Sequence, residues 1–354
     1  MNSSPGCDVL VVGNGVIGLT IALELADRGA TCRVLGGRHR GGASDAAAGL
    51  IAPSIGRLSA AVRPFFYRSL DRFPVLLARL QEADSTLRVL EGVIEIGEAP
   101  PLRHIPVEYA PRELDETALA ALEPGLRVVP NARFYPRDGA VDNVRLVAAL
   151  RRVVGASPAI DFIDDEPALR LESTRPGVRI VTAHAVHHAA RVVLAAGAWT
   201  PLIEGLPREL PVIPLKGQML AIRRAPLQHA VAADGAYLVP RGPYTVVGAT
   251  TEHAGFDMTT TGAAVAMLRA AALGACPSLA EFPLDRAWAG IRPATPDMLP
   301  LLGVDPDNPA VVYACGHSKN GILLAPATAE AIAALVAGSA PPVDISAFRV
   351  DRFD

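Results

Sequence analysis

The chain has 354 residues, half of them apolar and 19% charged, with 31 glycines and 31 prolines. This length and composition exclude a disordered chain and predict two globular domains with many turns. The formal charge of −3 comes from 33 basic and 36 acidic residues without a long basic run, which argues against a partner such as nucleic acid or an anionic membrane surface.

The N-terminus, the apolar tracts and the cysteines argue against a secreted protein, a membrane-spanning protein and a metal or redox site. Residues 1–6 carry no positive region ahead of an apolar stretch, and the longest apolar tract, 321–338, contains Pro326 and Glu330. We therefore expect a cytoplasmic protein without a signal peptide or a membrane span. Four cysteines with no CxxC spacing indicate neither a metal site nor redox chemistry.

The first 35 residues predict a β-turn-α-β unit. A short apolar strand, 8–12, leads into the sequence GNGVIG at 13–18, helical periodicity continues to Arg28, and a second strand covers 31–35. GxGxxG between a strand and a helix is typical of dinucleotide binding. Its three glycines permit, in order, a tight turn, the close approach of a pyrophosphate, and close packing of helix on strand. The helix N-terminus then offers free N–H groups to the phosphates.

The end of the second strand departs from this pattern. Gly36 stands where such units usually carry an Asp or Glu for the ribose hydroxyls, and Arg38, His39 and Arg40 follow it. The fingerprint alone leaves FAD, NAD and NADP open. The basic residues favour a 2′-phosphate, which keeps a nicotinamide-linked reductase as one alternative.

The middle of the chain leaves this unit and returns to it. Segment 36–53 is rich in Gly and Ala, while 87–135 alternates short β-like runs with Pro and Gly and indicates an excursion into a second domain. Helical periodicity predicts helices over 65–83 and 143–154. The strands expected after them cover 168–171, 178–182 and 190–196.

After residue 215 the pattern changes to separated β runs. They cover 219–222, 237–239 and 245–249, with a helix near 263–275, which suits an antiparallel substrate domain. A strand over 311–314 and a helix over 322–336 belong again to the first domain. We predict that 1–85, 136–212 and 285–354 form the cofactor-binding domain and that 86–135 and 213–284 form the substrate-binding domain.

Four further segments resemble the glycine oxidase branch of the D-amino-acid oxidase family. They are GASDAAAGLIAP at 42–53, VLAAGAW at 193–199, YLVPR at 237–241 with VVGAT at 246–250, and a run from WAGIRP at 288–293 through TPD at 295–297 to GHSKNGILLAP at 316–326. They occur in order along the whole chain, so the chain is identified as a member of that family.

The resemblance implies an α/β (α+β) fold, with a Rossmann-like FAD-binding domain of discontinuous segments and a mainly antiparallel substrate domain. It implies non-covalent FAD and no metal. The implied FAD contacts are Gly13, Gly15, Val16, Ile17, Gly18, Gly36, Arg38, Ser44, Ala47, Ala48, Gly49, Leu169, Ala196, Gly197, Trp199, Gly316, His317, Lys319, Asn320, Gly321 and Ile322.

Three residues match catalytic positions of the resembled family. Arg292 corresponds to the arginine that binds the substrate carboxylate, and Tyr237 to the tyrosine that helps to hold it. Lys319 stands where glycine oxidases usually carry arginine, and an ammonium there binds an anion without a planar fork. From spacing alone, Arg292 is equally compatible with a structural ion pair and Tyr237 with cross-strand packing. The residues expected to line the substrate pocket are Leu50, Ala52, Thr251 and His253.

The implied activity is oxidation of the C–N bond of glycine, an N-substituted glycine such as sarcosine, or a small D-amino acid. The products are an imine or 2-oxo acid and hydrogen peroxide, with O2 as the electron acceptor. A biosynthetic amine oxidase or dehydrogenase acting on a specialised N-linked glycine derivative is an alternative. A second alternative, a flavoprotein that removes a carboxymethyl group from a tRNA base, is disfavoured by the acidic balance of charge. Homo-oligomerisation is left open.

Overall fold

The computed structural model describes residues 2–3, 6–55, 58–97, 105–174 and 176–354, and their strands form two sheets. The strands are β1 (Asn2–Ser3), β2 (Cys7–Val12), β3 (Cys32–Leu35), β4 (Leu50–Ile51), β5 (Val89–Ile96), β6 (Arg112–Leu114), β7 (Ala132–Val141), β8 (Ile160–Ile163), β9 (Arg170–Ser173), β10 (Val178–Val181), β11 (Ala185–Leu194), β12 (Ile213–Ile222), β13 (Ala230–Ala233), β14 (Ala236–Arg241), β15 (Tyr244–Gly248), β16 (Leu284–Ala294), β17 (Leu301–Val304) and β18 (Val311–Cys315). The α-helices are α1 (Val16–Asp27), α2 (Ala43–Ala46), α3 (Arg63–Leu80), α4 (Glu116–Leu122), α5 (Asn143–Ala156), α6 (Gly262–Ala275) and α7 (Gly321–Val336).

The first sheet has the order β17-β18-β11-β2-β3-β8, with β1 and β10 paired to β11 and β9 paired to β10. Pairing among β18, β11, β2, β3 and β8 is parallel. Strand β2 is apolar without alternation because both of its faces are buried: Val9 and Val11 pack in the core around α1 and α7, and Leu10 and Val12 pack in the core on the other side. The carboxyl ends of these strands face the turn at 13–15.

The second sheet has the order β16-β12-β15-β14-β13-β5-β7-β4, with β6 paired to β7. Its pairing is antiparallel except between β13 and β5. Helix α6 packs against one face through Leu268 and Ala272. The opposite face carries a small apolar cluster that includes Val93, Met219 and Val246. The sheet is therefore covered on one side and contributes its other side to a cavity.

The predicted fold class is confirmed, and most predicted elements occur within a few residues of their expected limits. Strand β11 begins five residues before the expected strand over 190–196, because its first part forms an antiparallel pair with β10. The domain limits remain a proposal. All of strand β16 except Leu284 lies on the cofactor-domain side of the proposed limit at 284, yet it pairs with β12 of the second sheet along the whole of β12.

Two findings bear on the classes considered from the sequence. No helix within the described residues is long and apolar enough to cross a membrane. Among the same residues, no group of three or more His, Cys, Asp and Glu side chains could hold a metal ion.

Candidate active site

A cavity of about 1040 Å³ lies between the two sheets and receives residues from both. Its volume is at the upper end of the range of about 300–1,000 Å³ that small-molecule sites occupy. At one end it is bounded by the turn 13–17, at the carboxyl ends of the parallel strands, where open α/β sheets bind ligands. The other end is bounded by strands of the second sheet.

Two glycines of the turn after β2, Gly13 and Gly18, have no room for a side chain. Gly13 has a φ of 127°, and a Cβ there would lie within 3.0 Å of the Ala195 carbonyl, closer than real Cβ atoms come. A Cβ at Gly18 would likewise strike the Gly13 carbonyl. Helix α1 starts at Val16, whose N–H donates to Ser44 Oγ at 3.0 Å, and its first turn carries no acidic side chain. This backbone cradle fits a pyrophosphate.

Segment 42–53 runs along the cavity, and side chains from later parts of the chain hold it by donating hydrogen bonds to its backbone carbonyls. Asn143 donates from Nδ2 to the Ser44 carbonyl at 2.7 Å. The Trp288 indole N–H donates to the Ala46 carbonyl at 2.9 Å, and Arg241 donates to the Ala48 carbonyl at 2.7 Å. The small side chains of the segment let its backbone lie close to a flat ligand, which fits the isoalloxazine ring of a flavin.

Gly49 shows why this segment needs glycine. Its φ is 84°, in the left-handed region that favours glycine, and a Cβ there would lie well under 3.0 Å from the Val141 carbonyl. The N–H of Val141 donates to the Gly49 carbonyl at 2.9 Å. Segment 42–53 is therefore fixed against β7 at this point.

Arg292 and Tyr237 meet at the wall formed by the second sheet. The Arg292 guanidinium lies over Gly217 of the neighbouring strand, where a Cβ would come within 3.0 Å of it, and it donates to the Thr250 carbonyl at 2.9 Å. The Tyr237 hydroxyl lies over Gly248 in the same way. Burial raises the pKa of Tyr237 and the Arg292 charge opposes this shift, so the hydroxyl keeps its proton and can donate a hydrogen bond.

The loop before α7 also reaches the cavity. Ser318 has a φ of 50°, and its N–H donates to the Pro293 carbonyl at 2.9 Å. His317 is buried with Nε2 3.1 Å from Thr328 Oγ1, and burial lowers its pKa to about 3, so the imidazole is neutral near pH 7. Lys319 is exposed into the cavity and has no ion-pair partner among the described residues. Its charge is therefore available to a ligand.

Most of the residues predicted as site residues line this one cavity, including Arg292, Tyr237 and Lys319. The others are Leu50, Ala52, Thr251, Gly13, Gly15, Val16, Ile17, Arg38, Ser44, Ala47, Ala48, Gly49, Leu169, Ala196, Gly197, Trp199, His317, Asn320, Gly321 and Ile322. Gly18, Gly36, Gly316 and His253 do not line it. The first three each directly adjoin a lining residue in the sequence, and His253 is exposed on the loop 249–261.

Sequence reasoning missed the side chains that fix this loop and segment 42–53. Lys216 is a lone lysine in an apolar strand, and it is buried with Nζ 2.8 Å from Asp257, whose pKa it lowers to about 2. Phe256, which directly precedes Asp257 and which the sequence places on this loop, packs on Trp199 with ring centroids 5.2 Å apart. Asn143 had a signal in the sequence, because it directly follows the N-cap residue Asp142 of a predicted helix.

Comparison with known proteins gives a consistent result. The FAD dependent oxidoreductase family matches residues 8–335. The chain is 34% identical to the bifunctional protein ThiO/ThiG of Nostoc sp. over 98% of its own length, and it spans 55% of that protein. It is 33% identical to the glycine oxidase of Pseudomonas aeruginosa, with 95% of this chain and 96% of that protein covered.

A solved structure agrees with these relatives. The crystal structure of glycine oxidase from Geobacillus kaustophilus superposes with a TM-score of 0.90 at 29% identity, with 99% of each chain covered. The resemblance seen in segments 42–53, 193–199, 237–250 and 288–326 thus extends over nearly the whole chain.

Proposed function

The chain belongs to the FAD dependent oxidoreductase family, and on this premise we propose that it is an FAD-using amino-acid oxidase of the glycine oxidase type. The observation that carries the proposal is the meeting of Arg292 and Tyr237 on one wall of the cavity that also contains the glycine turn. The substrate class is glycine, an N-substituted glycine such as sarcosine, or a small D-amino acid. The chain spans only about half of its first ThiO/ThiG relatives, so activities of the rest of those proteins are not included.

The residues present fit FAD. The turn 13–17 and the start of α1 would hold the pyrophosphate, segment 42–53 would lie along the flavin ring, and the start of α7, whose first turn has no acidic side chain, would face developing negative charge. Bound FAD supplies a two-electron acceptor for oxidation of the C–N bond. Cys315 lines the cavity, and burial raises the pKa of its thiol to about 12. A protonated thiol is a poor nucleophile, which supports non-covalent attachment.

Arg292 and Tyr237 would bind the substrate carboxylate. A guanidinium forms two parallel hydrogen bonds to a carboxylate, and the protonated Tyr237 hydroxyl adds a third. Arg292 donates to the Thr250 carbonyl, and its guanidinium lies over Gly217. Because these contacts fix the guanidinium, the substrate carboxylate would be bound in one orientation. This fixes which bond of the substrate points into the cavity. The apolar side chains of Leu50, Ile55 and Met219 lie nearby and exclude water.

Lys319 would add positive charge beside the reaction site. A single ammonium stabilises a small anion, including the superoxide formed when O2 accepts one electron, but it offers no planar fork. We therefore assign O2 as the electron acceptor in this proposal. A cytoplasmic location is part of the same proposal.

The first experiment is a visible spectrum of the purified protein, followed by anaerobic addition of glycine, sarcosine and D-alanine in turn. An absorbance band near ~450 nm that one of these amines bleaches, with hydrogen peroxide formed on admitting air, is the expected result. Acid precipitation should release all of the yellow colour from the protein. A protein that cannot take up FAD would contradict the proposal.

A specialised N-linked glycine derivative is the second candidate substrate. Lys319 favours it, because a lysine replaces the arginine that the resembled glycine oxidases carry. A yellow protein that none of the three simple amines bleaches would favour this candidate. Reduction without peroxide on admitting air would indicate a dehydrogenase. The tRNA-modifying alternative predicts retention on heparin at moderate salt, which the net charge of −3 disfavours.

A further inference from the structure

The space beside Gly36 is filled by another side chain. A Cβ at Gly36 would lie within 3.0 Å of the amide group of Asn14, the residue between the first two glycines of the turn. Dinucleotide sites usually carry an Asp or Glu at the position of Gly36 to bind the ribose hydroxyls. That carboxylate cannot be present here unless Asn14 moves. The Asn14 side chain therefore occupies the space that the usual acid would need.

The Asn14 side chain contacts an acidic residue, Asp164, at the end of the neighbouring strand β8. Its Nδ2 donates to Asp164 Oδ1 at 2.7 Å and to the Asp164 backbone carbonyl at 3.3 Å. Asp164 directly follows β8, which pairs in parallel with β3, so that Leu35 and Ile163 are partners. The Gly36 N–H donates to the Ile163 carbonyl at 2.8 Å. Asp164 thus stands one strand away from the position where the usual acid would be.

The location and charges suit a neutral polyol. Asn14 and Asp164 both line the cavity that contains the glycine turn, and the Asp164 side chain is 38% exposed. Arg38 lies 3.6 Å from Asp165, and Arg151 lies between Asp164 at 4.0 Å and Asp45 at 3.6 Å. These carboxylates balance the basic residues. A 2′-phosphate at this place would meet the Asp164 carboxylate, which disfavours NADP and favours unmodified hydroxyls.

We infer that Asp164, oriented by Asn14, accepts hydrogen bonds from the ribose hydroxyls of the adenosine half of FAD. This rests on the use of FAD in the proposed function and is independent of which amine is oxidised. The carboxylate keeps free lone pairs after binding Asn14, and a carboxylate can accept from both hydroxyls of a ribose. In this chain the acid would therefore stand at the end of β8 instead of at the end of β3.

The test measures the dissociation constant of the apoprotein for FAD, through quenching of flavin fluorescence. Asp164→Ala should weaken FAD binding by about 10- to 100-fold, because hydrogen bonds to a charged group are lost. Asp165→Ala, the neighbouring acid, is the matched control and should change binding by less than about 2-fold. An FAD analogue whose adenosine lacks the 2′-hydroxyl separates contact from support. The unaltered protein should bind this analogue more weakly than FAD, and Asp164→Ala should bind the two equally.

Two results would overturn the inference. One is equal binding of FAD and the analogue by the unaltered protein, which needs no variant and leaves the proposed oxidase activity standing. The other is a preference for FAD over the analogue in Asp164→Ala that is as large as in the unaltered protein, since alanine leaves no side-chain acceptor at this position. A rescue sharpens the test: adding Asn14→Gly and Gly36→Glu to Asp164→Ala should restore tight FAD binding, because the usual acid then has the space that Asn14 filled.

Discussion

The two ends of the cavity are built by different means. The end at 13–17 and 42–49 is formed mainly by backbone groups, glycines and other small residues, and side chains hold it by donating to the Ala46 and Ala48 carbonyls. The end at Arg292 and Tyr237 consists of long side chains that lie over glycines of neighbouring strands. A backbone surface tolerates no added atoms, whereas a side-chain surface can change its residues and keep its fold. The first end should therefore fix the cofactor, and the second should set the substrate.

The largest effect that this comparison predicts is at Gly49. Gly49→Ala places a methyl group against the Val141 carbonyl at a φ of 84° and should lower the free energy of unfolding by about 2–5 kcal/mol, with loss of bound flavin. Gly274→Ala is the control, since Gly274 lies in helix α6 with no atom within 4 Å of an added Cβ. It should raise stability by about 0.5–1 kcal/mol. Chemical denaturation measures both, and a stable yellow Gly49→Ala protein would break the comparison.

At the substrate end, Arg292→Ala should lower kcat/KM by about 100- to 1,000-fold while flavin content and stability stay near those of the unaltered protein. Arg292→Lys should recover only part of this loss, because an ammonium cannot form the bidentate pair. Arg223→Ala, whose side chain is 63% exposed, should stay within about 2-fold. Steady-state kinetics with the amine that bleaches the flavin decides this. Loss of flavin from Arg292→Ala would show that the two ends are not separable.

At the cofactor end, the burial of His317 predicts how the free energy of unfolding depends on pH. Its pKa is lowered from 6.5 to about 3 by burial, so below pH 6.5 the unfolded chain binds a proton that the folded chain does not. The stability that depends on a neutral His317 is full above pH 6.5 and falls as the pH drops toward 3, with about 2 kcal/mol lost at pH 5. His317→Gln should lack this component, while His253→Gln, at an exposed site, should retain it. Urea unfolding at pH 7 and pH 5 gives the comparison, and parallel pH slopes for all three proteins would refute it.

The smallest effect is expected at Tyr237. Tyr237→Phe removes one hydroxyl from the carboxylate site and keeps the ring over Gly248, so KM should rise by about 3- to 10-fold with kcat little changed. A KM that does not move would place the hydroxyl outside the substrate contact and leave Arg292 as the main anchor.

The same contrast decides what the sequence could predict. The turn at 13–18 is local, so its spacing predicts a strand, a glycine turn and a helix, all of which occur. Arg292 and Tyr237 are 55 positions apart in the sequence, and their meeting depends on the pairing of β16, β12, β15 and β14. Periodicity contains no information on that order. Only the resemblance to a family brought the two residues together before the fold was known.

Other side chains could be predicted neither from the sequence pattern nor from the family resemblance. Lys216 gives no pattern, since a lone lysine in a strand usually points to solvent, and its burial depends on Asp257 in a distant loop. The absence of the usual ribose acid was visible in the sequence at Gly36, but the contact that fills the space beside Gly36 was not. The contact between Asn14 and Asp164 joins residues 150 positions apart.

The carbonyls of segment 42–53 also constrain when the cofactor can enter during synthesis of the chain. Their donors are Asn143, Arg241 and Trp288, which lie 99, 193 and 242 positions farther along the chain. A chain leaving the ribosome cannot make the last of these bonds until Trp288 has emerged. Contacts of such long sequence separation form late in folding. Capture of the flavin should therefore follow translation of nearly the whole chain, so that acquisition of yellow colour reports completed folding.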